Sequence, residues 1–364
     1  MPKIPSKRWW MRVLLGVVWT PIAAEIFLRW LAPVPMLPRY IEAGPHGVRA
    51  NMASITYRHQ TPEYTVRIRT NSQGMRADRD FSIEKPQGVR RIAILGDSFG
   101  MGYGVNLEES SLFIMGKTLE KELGCPVEVL NFSVSGFGPA EELVVLKSEV
   151  LRYQPDLVIQ YYSATDPNDD IRSGLFRLDD DALVPANSTY LPAVKIREFL
   201  FSFPMYRWMA SESHLYNLAR DQAGTTAKQL LAKIRSAAAG SESAPAGNEE
   251  STSTKTMPGG VTSAQWLTLK ILEEMRGEIR EAGSEFLILS IPARRNRTTF
   301  FDRFPYSEEL PFEVVTPLSR FEAAGGEMLY WERSHGHWTP LGCRLVAESL
   351  VERILDQGLL KPCR

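Results

Sequence analysis

The sequence predicts an α/β protein: a three-layer α/β/α sandwich with a parallel central sheet, preceded by one N-terminal transmembrane helix. Three observations predict it. Short apolar runs recur along the chain, helical patterns separate them, and one longer apolar stretch stands behind a basic N-terminus. Strands that alternate with helices build parallel sheets, because a parallel return needs a crossover long enough to carry a helix.

Residues 1–12 read as a cytoplasmic tail with Lys3, Lys7, Arg8 and Arg12, and residues 13–32 as a signal anchor. The anchor is apolar from Val13 to Ala24 and continues through Ile26-Phe27-Leu28 and Trp30-Leu31-Ala32, with Glu25 and Arg29 as its charges. About 20 helical residues cross the hydrocarbon of a bilayer. Four residues apart, Glu25 and Arg29 pair on one helix face, or Arg29 snorkels to the far headgroups. The flanking basic residues, with Trp9, Trp10 and Trp30 near the ends, orient the N-terminus to the cytoplasm. A cleaved signal peptide ending near Ala23 and Ala24 is the alternative, and a buried amphipathic helix is a third. Hydrophobicity that persists beyond Glu25 favours the anchor, where a cleavage region would turn polar.

Residues 33–88 form an extended or β lead-in, punctuated by Pro33, Pro35, Pro38 and Pro45 and containing the alternating strand Tyr64–Arg69. Residues 89–171 are the first part of the core, with strands at Arg91–Leu95, Val127–Leu130 and Leu157–Tyr162 and helices at Leu107–Leu123 and Ala140–Tyr153. Residues 263–364 are the second part, with a helix at Ser263–Ala282, strands at Phe286–Ile291 and Glu327–Tyr330, and a C-terminal helix. The interval 172–262 is too long for a loop and reads as an insertion. Helices are expected from about Val194 to Ile234, then a disordered linker over about 236–260, rich in Ala, Ser, Gly, Glu and Thr. The aromatic segment Phe199–Trp208 either caps a site for an apolar acyl or glycan substrate or packs against the core or a membrane face.

At 364 residues and 44% hydrophobic content the chain supports a substantial core, and a net charge of -1 argues against nucleic acid as a partner. Cys125, Cys343 and Cys363 are too few and too scattered for a disulfide framework; Cys343 and Cys363 can pair if the C-terminus folds back, but all three are read as structurally neutral. No zinc or haem spacing occurs, and no cofactor or metal is expected. Asp179-Asp180-Asp181 reads as a solvated turn and His214 as a structural or exposed residue. Arg294-Arg295-Asn296-Arg297, following a strand, is either a seat for an anionic glycan or phospholipid headgroup or a solvated loop.

The chemistry concentrates at two places. Arg91–Leu95 stops on Gly96-Asp97-Ser98-Phe99-Gly100, a strand that delivers a hydroxyl to the sheet edge. Far downstream, His335-Gly336-His337-Trp338-Thr339-Pro340 supplies an imidazole just before the last helix. A serine is a poor nucleophile until a base takes its proton, so this pairing points to a serine esterase with Ser98 as nucleophile and His337 as base.

These blocks resemble the GDSL/SGNH hydrolase family, in its membrane-anchored bacterial branch, from about Tyr57 to the C-terminus. Asn71-Ser72-Gln73-Gly74-Met75-Arg76 is similar to the lead-in that precedes the nucleophile there, and Asn131–Gly138 resembles the block whose glycine, here Gly136, serves the oxyanion hole. The resemblance implies a flavodoxin-like fold, with the amides of Ser98 and Gly136 as oxyanion donors. Two departures stand out. Where the family has Asn-Asp after the third strand, this chain reads Ser163-Ala164-Thr165-Asp166-Pro167-Asn168, leaving Thr165 or Asn168 as the side-chain donor and Asp166 as supporting residue. The aspartate expected shortly before the histidine is replaced by Ser334 and His335. Glu332, a carboxylate from elsewhere or, less effectively, a backbone carbonyl would then orient His337, with Asp97 in support; His335 is either a second imidazole that relays a proton or holds His337, or a surface residue next to Gly336.

The expectation is an inner-membrane protein, N-terminus cytoplasmic and C-terminal domain periplasmic, that removes or transfers O-acyl groups, foremost O-acetyl, on an envelope or exported polysaccharide. A membrane-bound polysaccharide-assembly or acyltransferase partner is implied by the resemblance. The competing readings are a lipase or thioesterase at the membrane surface and a non-catalytic scaffold or glycan-binding subunit.

Overall fold

The computed structural model describes residues 7–32, 34, 40–192, 194–220, 222–223, 260–306, 310, 312–334 and 336–362. The chain divides into two units, one of residues 1–39, 58–65 and 199–251 and one of residues 40–57, 66–198 and 252–364.

In the first unit, α1 (Lys7–Trp30) is one helix with Pro21 inside it. Its stretch Met11–Trp30, 20 residues with mean hydropathy 1.6, is long and apolar enough to cross a membrane. Almost all of it is exposed, which distinguishes it from a buried core helix.

The second unit opens with the short antiparallel pair β1 (Ile41–Ala43) and β2 (Arg49–Asn51). Next come β3 (Thr56–Gln60) and β4 (Thr65–Arg69), which cross the boundary between the units. The core then alternates as the sequence predicts: β5 (Arg90–Leu95), α2 (Ser111–Leu123), β6 (Val127–Asn131), α3 (Pro139–Ser148), β7 (Leu157–Tyr162) and α4 (Asp166–Ser173). The insertion begins as an antiparallel hairpin, β8 (Phe176–Asp179) and β9 (Ala182–Pro185), which the sequence analysis does not anticipate. The Asp179–Asp181 turn is its tip, with Asp180 and Asp181 at positive φ, a conformation that two-residue hairpin loops demand. The helices α5 (Val194–Phe201) and α6 (Pro204–Glu212) follow. The expected linker lies, apart from Gly260, outside the described residues.

The core resumes with α7 (Ser263–Glu281) and β10 (Glu285–Ser290), the small pair β11 (Ala293–Arg294) and β12 (Phe300–Phe301), then β13 (Val314–Val315), α8 (Leu318–Ala323) and α9 (Pro340–Asp356). The main sheet runs β13-β10-β7-β5-β6, all parallel. Counted along the chain this is the order 2-1-3-4-5 of flavodoxin-like folds, with its switch point between β5 and β7. Alternation along β5 sends Ala93 and Leu95 to one core layer and Ile92 and Ile94 to the other. The first layer is completed by α3 and α7 and the second by α2 and α9.

Two sequence expectations are corrected. Glu327–Tyr330 is not the fifth strand: Tyr330 makes only an isolated antiparallel bridge to Trp338, and β13 takes the edge position. Two residues of pairing suffice for an edge strand but leave no periodic signal to read. Cys343, read as able to pair with Cys363, is a buried free thiol in the α9 core layer, and Cys125, read as structurally neutral, is disulfide-bonded.

Candidate active site

β5 ends at Leu95, and the chain turns through Gly96 and Asp97 into a tight coil that presents Ser98 at the carboxyl edge of the sheet, beside the switch point. The coil closes on itself: Met101 N–H donates to Asp97 O at 3.0 Å, Gly102 N–H to Phe99 O at 2.9 Å and Tyr103 N–H to Ser98 O at 3.1 Å. The Asp97 carboxylate accepts the Phe99 N–H at 2.7 Å and so shapes the turn that carries Ser98. Buried Arg76 clamps the exit of the same coil, donating to the carbonyls of Met101, Gly102 and Val105. Two glycines are required by close approach: a Cβ on Gly96 would stand 2.8 Å from Tyr161 Cβ, and one on Gly100 would stand 2.3 Å from Ser133 Oγ.

His337 arrives from the other end of the sequence. The Trp331 N–H donates to His337 O at 2.8 Å, and Thr339 N–H donates to Leu329 O at 2.9 Å. The Thr339 hydroxyl caps α9 by accepting the Gly342 N–H at 3.2 Å and donates to Met328 O at 2.6 Å. Fixed in this way, the imidazole lies between the rings of Phe99 and Tyr103, at centroid distances of 4.9 and 4.8 Å. Its Nε2 is 2.7 Å from Ser98 Oγ, hydrogen-bond distance for a base that takes the hydroxyl proton.

The third block lies alongside. The loop after β6 tracks the nucleophile turn, with Phe132 N–H on Ile94 O at 2.9 Å and Val134 N–H on Gly96 O at 3.0 Å. At φ +82°, Gly136 holds a left-handed conformation that favours glycine, and a Cβ there would meet Arg49. Arg49 donates to Gly136 O at 2.6 Å and forms a two-pronged ion pair with Glu141, closest at 2.7 Å. The Tyr40 hydroxyl bonds the Ser135 hydroxyl, and Asn51 Nδ2 donates to Ser133 O at 3.0 Å. The β1–β2 hairpin and the residue before it thus hold the 133–136 loop in place. None of these three side chains belongs to a motif legible in the sequence, and Arg49 is 87 positions from Gly136. Arg76, by contrast, stands in a block whose resemblance was legible.

The remaining candidates are dispersed. Thr165 is exposed at the N-cap of α4, its hydroxyl 3.2 Å from that of Ser163, and Asn168 is exposed in the first turn of that helix. Asp166 is buried and accepts the Ser163 N–H at 3.0 Å. Glu332 forms an ion pair with Arg297, closing Nη2 on Oε2 at 2.9 Å, and the Arg294 guanidinium lies over the Tyr330 ring at 5.3 Å. Two cations of the basic cluster are therefore engaged by the segment that leads to His337. His335 lies outside the described residues.

Behind the nucleophile turn lies a group of buried carboxyls. Burial pushes Asp97 and Asp170 up to about 7. Glu141 also rises to about 7 through burial, against the pull of Arg49. Burial and the neighbouring carboxyls hold Glu142 and Asp166 well above the usual carboxylate range. These groups favour the protonated form near neutrality, as a low dielectric with like charges nearby requires.

No family model and no curated protein matches the sequence. Among solved structures the chain is similar to TesA, at 14% identity and a TM-score of 0.39 over 74% of this chain and 100% of that one. It is similar to the acetyl xylan esterase AlAXEase, at 11% identity and a TM-score of 0.38 over 72% of this chain and 99% of that one. A lipase/acylhydrolase from Enterococcus faecalis matches at 15% identity and a TM-score of 0.38 over 76% of this chain and 99% of that one.

Proposed function

We propose that this chain is a serine ester hydrolase of the GDSL/SGNH type, anchored by α1 and acting outside the cytoplasm on small O-acyl groups, foremost acetyl esters of an envelope or exported polysaccharide. The observation that carries the reading is the 2.7 Å contact between Ser98 Oγ and His337 Nε2 at the carboxyl edge of a parallel sheet.

In this reaction Ser98 Oγ adds to the ester carbonyl carbon while its proton passes to His337 Nε2. The tetrahedral adduct collapses, the C–O bond to the alcohol breaks, and the departing oxygen takes the proton from the imidazole. Water then attacks the acyl-serine by the same route in reverse and releases the carboxylic acid; a sugar hydroxyl in place of water makes the enzyme a transferase. The negative oxygen of each adduct is received by the amides of Ser98 and Gly136, and a donor of this kind is worth about 10²–10³ in rate.

One observation supports the location. The disulfide-bonded Cys125 suits an oxidising compartment, which is where the positive-inside rule sends everything after α1.

The test is intact-mass analysis of the detergent-solubilised full chain after treatment with a fluorophosphonate, beside Ser98→Ala and His337→Asn. A single adduct absent from both variants supports the hydrolase, and 4-nitrophenyl acetate against the octanoate then ranks acyl length. No adduct on a folded protein refutes the free-standing enzyme.

A further inference from the structure

The first unit holds a second constructed feature. Glu25 and Arg29, the two charges inside the apolar helix, are four residues apart and paired at 3.0 Å. Both also grip the insertion. Glu25 accepts the Ser213 hydroxyl at 2.8 Å, the His214 N–H at 3.0 Å and the Leu215 N–H at 2.9 Å. These are groups at the start of the helical stretch 214–220, whose first N–H groups have no partner within their own helix. Arg29 Nη2 donates to the carbonyl of Glu212, the last residue of α6, at 2.7 Å. An acid therefore sits at a helix start and a base at a helix end, each where the helix dipole favours it. His214, read from the sequence as structural or exposed, is buried in this junction and accepts the Val34 N–H on Nδ1 at 3.3 Å.

Depth gives the junction its meaning. Glu25 precedes Trp30 by five residues, so at about 1.5 Å per residue it lies roughly 8 Å inside the outer end of the span. The α6 end and the following helix start are pinned at that level, where acyl chains meet headgroups. The segment that leads to the junction leaves large apolar side chains uncovered: Phe199, Phe203, Met205 and Trp208 are 66%, 50%, 73% and 55% exposed. The Phe199 and Phe203 rings touch edge to face at 5.4 Å, and Met205 and Trp208 are three apart on one side of α6. In water this surface is unfavourable; at a bilayer boundary it matches the preference of aromatic and apolar side chains for the interface.

We propose that residues 199–215 are a membrane foot: a helical element lying in the outer boundary of the bilayer, its apolar side chains among the lipids, locked to the span by Glu25 and Arg29. The occupant of the exposed face is lipid. The inference rests on α1 spanning a membrane, and adds that the charges within α1 are structural sockets for the insertion.

Site-directed spin labelling of the full chain in phosphatidylcholine–phosphatidylglycerol vesicles tests it. Nitroxides are placed singly through Phe203→Cys, Met205→Cys and Trp208→Cys, with Val18→Cys as the mid-span reference and Asp179→Cys in the hairpin turn as the aqueous one. The foot labels are expected to show an oxygen-to-nickel-chelate accessibility ratio several-fold above that at position 179, and Glu25→Ala is expected to return them toward the aqueous value while Val18 stays immersed. An aqueous reading at 203, 205 and 208 with Val18 immersed overturns the foot and leaves the span standing. An aqueous Val18 overturns both. Labels shielded from both colliders indicate a protein partner or second copy, and labels unmoved by Glu25→Ala remove the socket; each overturns the proposal.

Discussion

Replacing Arg49 with alanine tests how the loop that carries Gly136 is held. Arg49 is the counter-ion of Glu141, which is 1% exposed, and the donor to Gly136 O at 2.6 Å. Its guanidinium also lies 5.5 Å from the Phe137 ring centroid. Removing one partner of a buried pair strands the other, at a cost of about 3–5 kcal/mol. Glu141 already stands at about 7 with Arg49 pulling it down, so without the guanidinium it rises further. A carboxyl whose folded value lies above its unfolded value loses stability as pH climbs from about 4.5 through the folded value, by about 1.4 kcal/mol for each tenfold difference in proton affinity between the two states. Arg49→Ala should therefore lose about 3–5 kcal/mol at pH 8, yet about 1–2 kcal/mol at pH 5, where Glu141 is neutral and only hydrogen bonds are missing. Urea unfolding of the solubilised chain at both pH values measures the difference. The double variant Arg49→Met/Glu141→Gln should recover most of the stability but not the fluorophosphonate reaction rate, because Gly136 O has lost its donor. An equal loss at the two pH values, or a double variant that labels at the wild-type rate, refutes the argument.

Two further outcomes follow from the same geometry. Gly100→Ala pushes a Cβ to 2.3 Å from Ser133 Oγ and should cost about 1–3 kcal/mol in chemical unfolding, with Ser133→Gly in the same chain restoring most of it because it removes the opposing atoms. The carboxyls raised to about 7, Asp97, Glu141 and Asp170, keep their protons on folding while the unfolded chain releases them above about pH 4, so thermal stability should fall between pH 5 and pH 8; Glu142→Gln, by removing a neighbouring buried carboxyl, should raise the melting temperature at pH 8 more than at pH 5.

Much of this architecture was written in local pattern. β5, β6, β7 and β10 are short runs whose apolar character follows from burial on both faces, and the intervening helices carry caps such as Ser110 and Thr262. The hydroxyl and the imidazole were legible because each stands at a punctuated site, a strand ending in glycine and a capped helix start. β13 was not, since two paired residues give no period, and the β8–β9 hairpin was hidden inside a stretch judged only by its length.

The sequence by itself determined the strand-and-helix alternation, the apolar N-terminal helix, and the placing of Ser98 just after a strand and His337 just before a helix, because turn chemistry and hydrophobic period act over a few neighbours. Only the tertiary structure decided what holds those residues in place. Arg49 on Gly136, Arg76 on the nucleophile coil and Glu25 on the start of helix 214–220 are contacts between positions 87, 25 and 189 apart. A charged side chain is buried wherever the fold brings it a partner, and that partner is chosen by the path of the chain through space, which no local pattern contains.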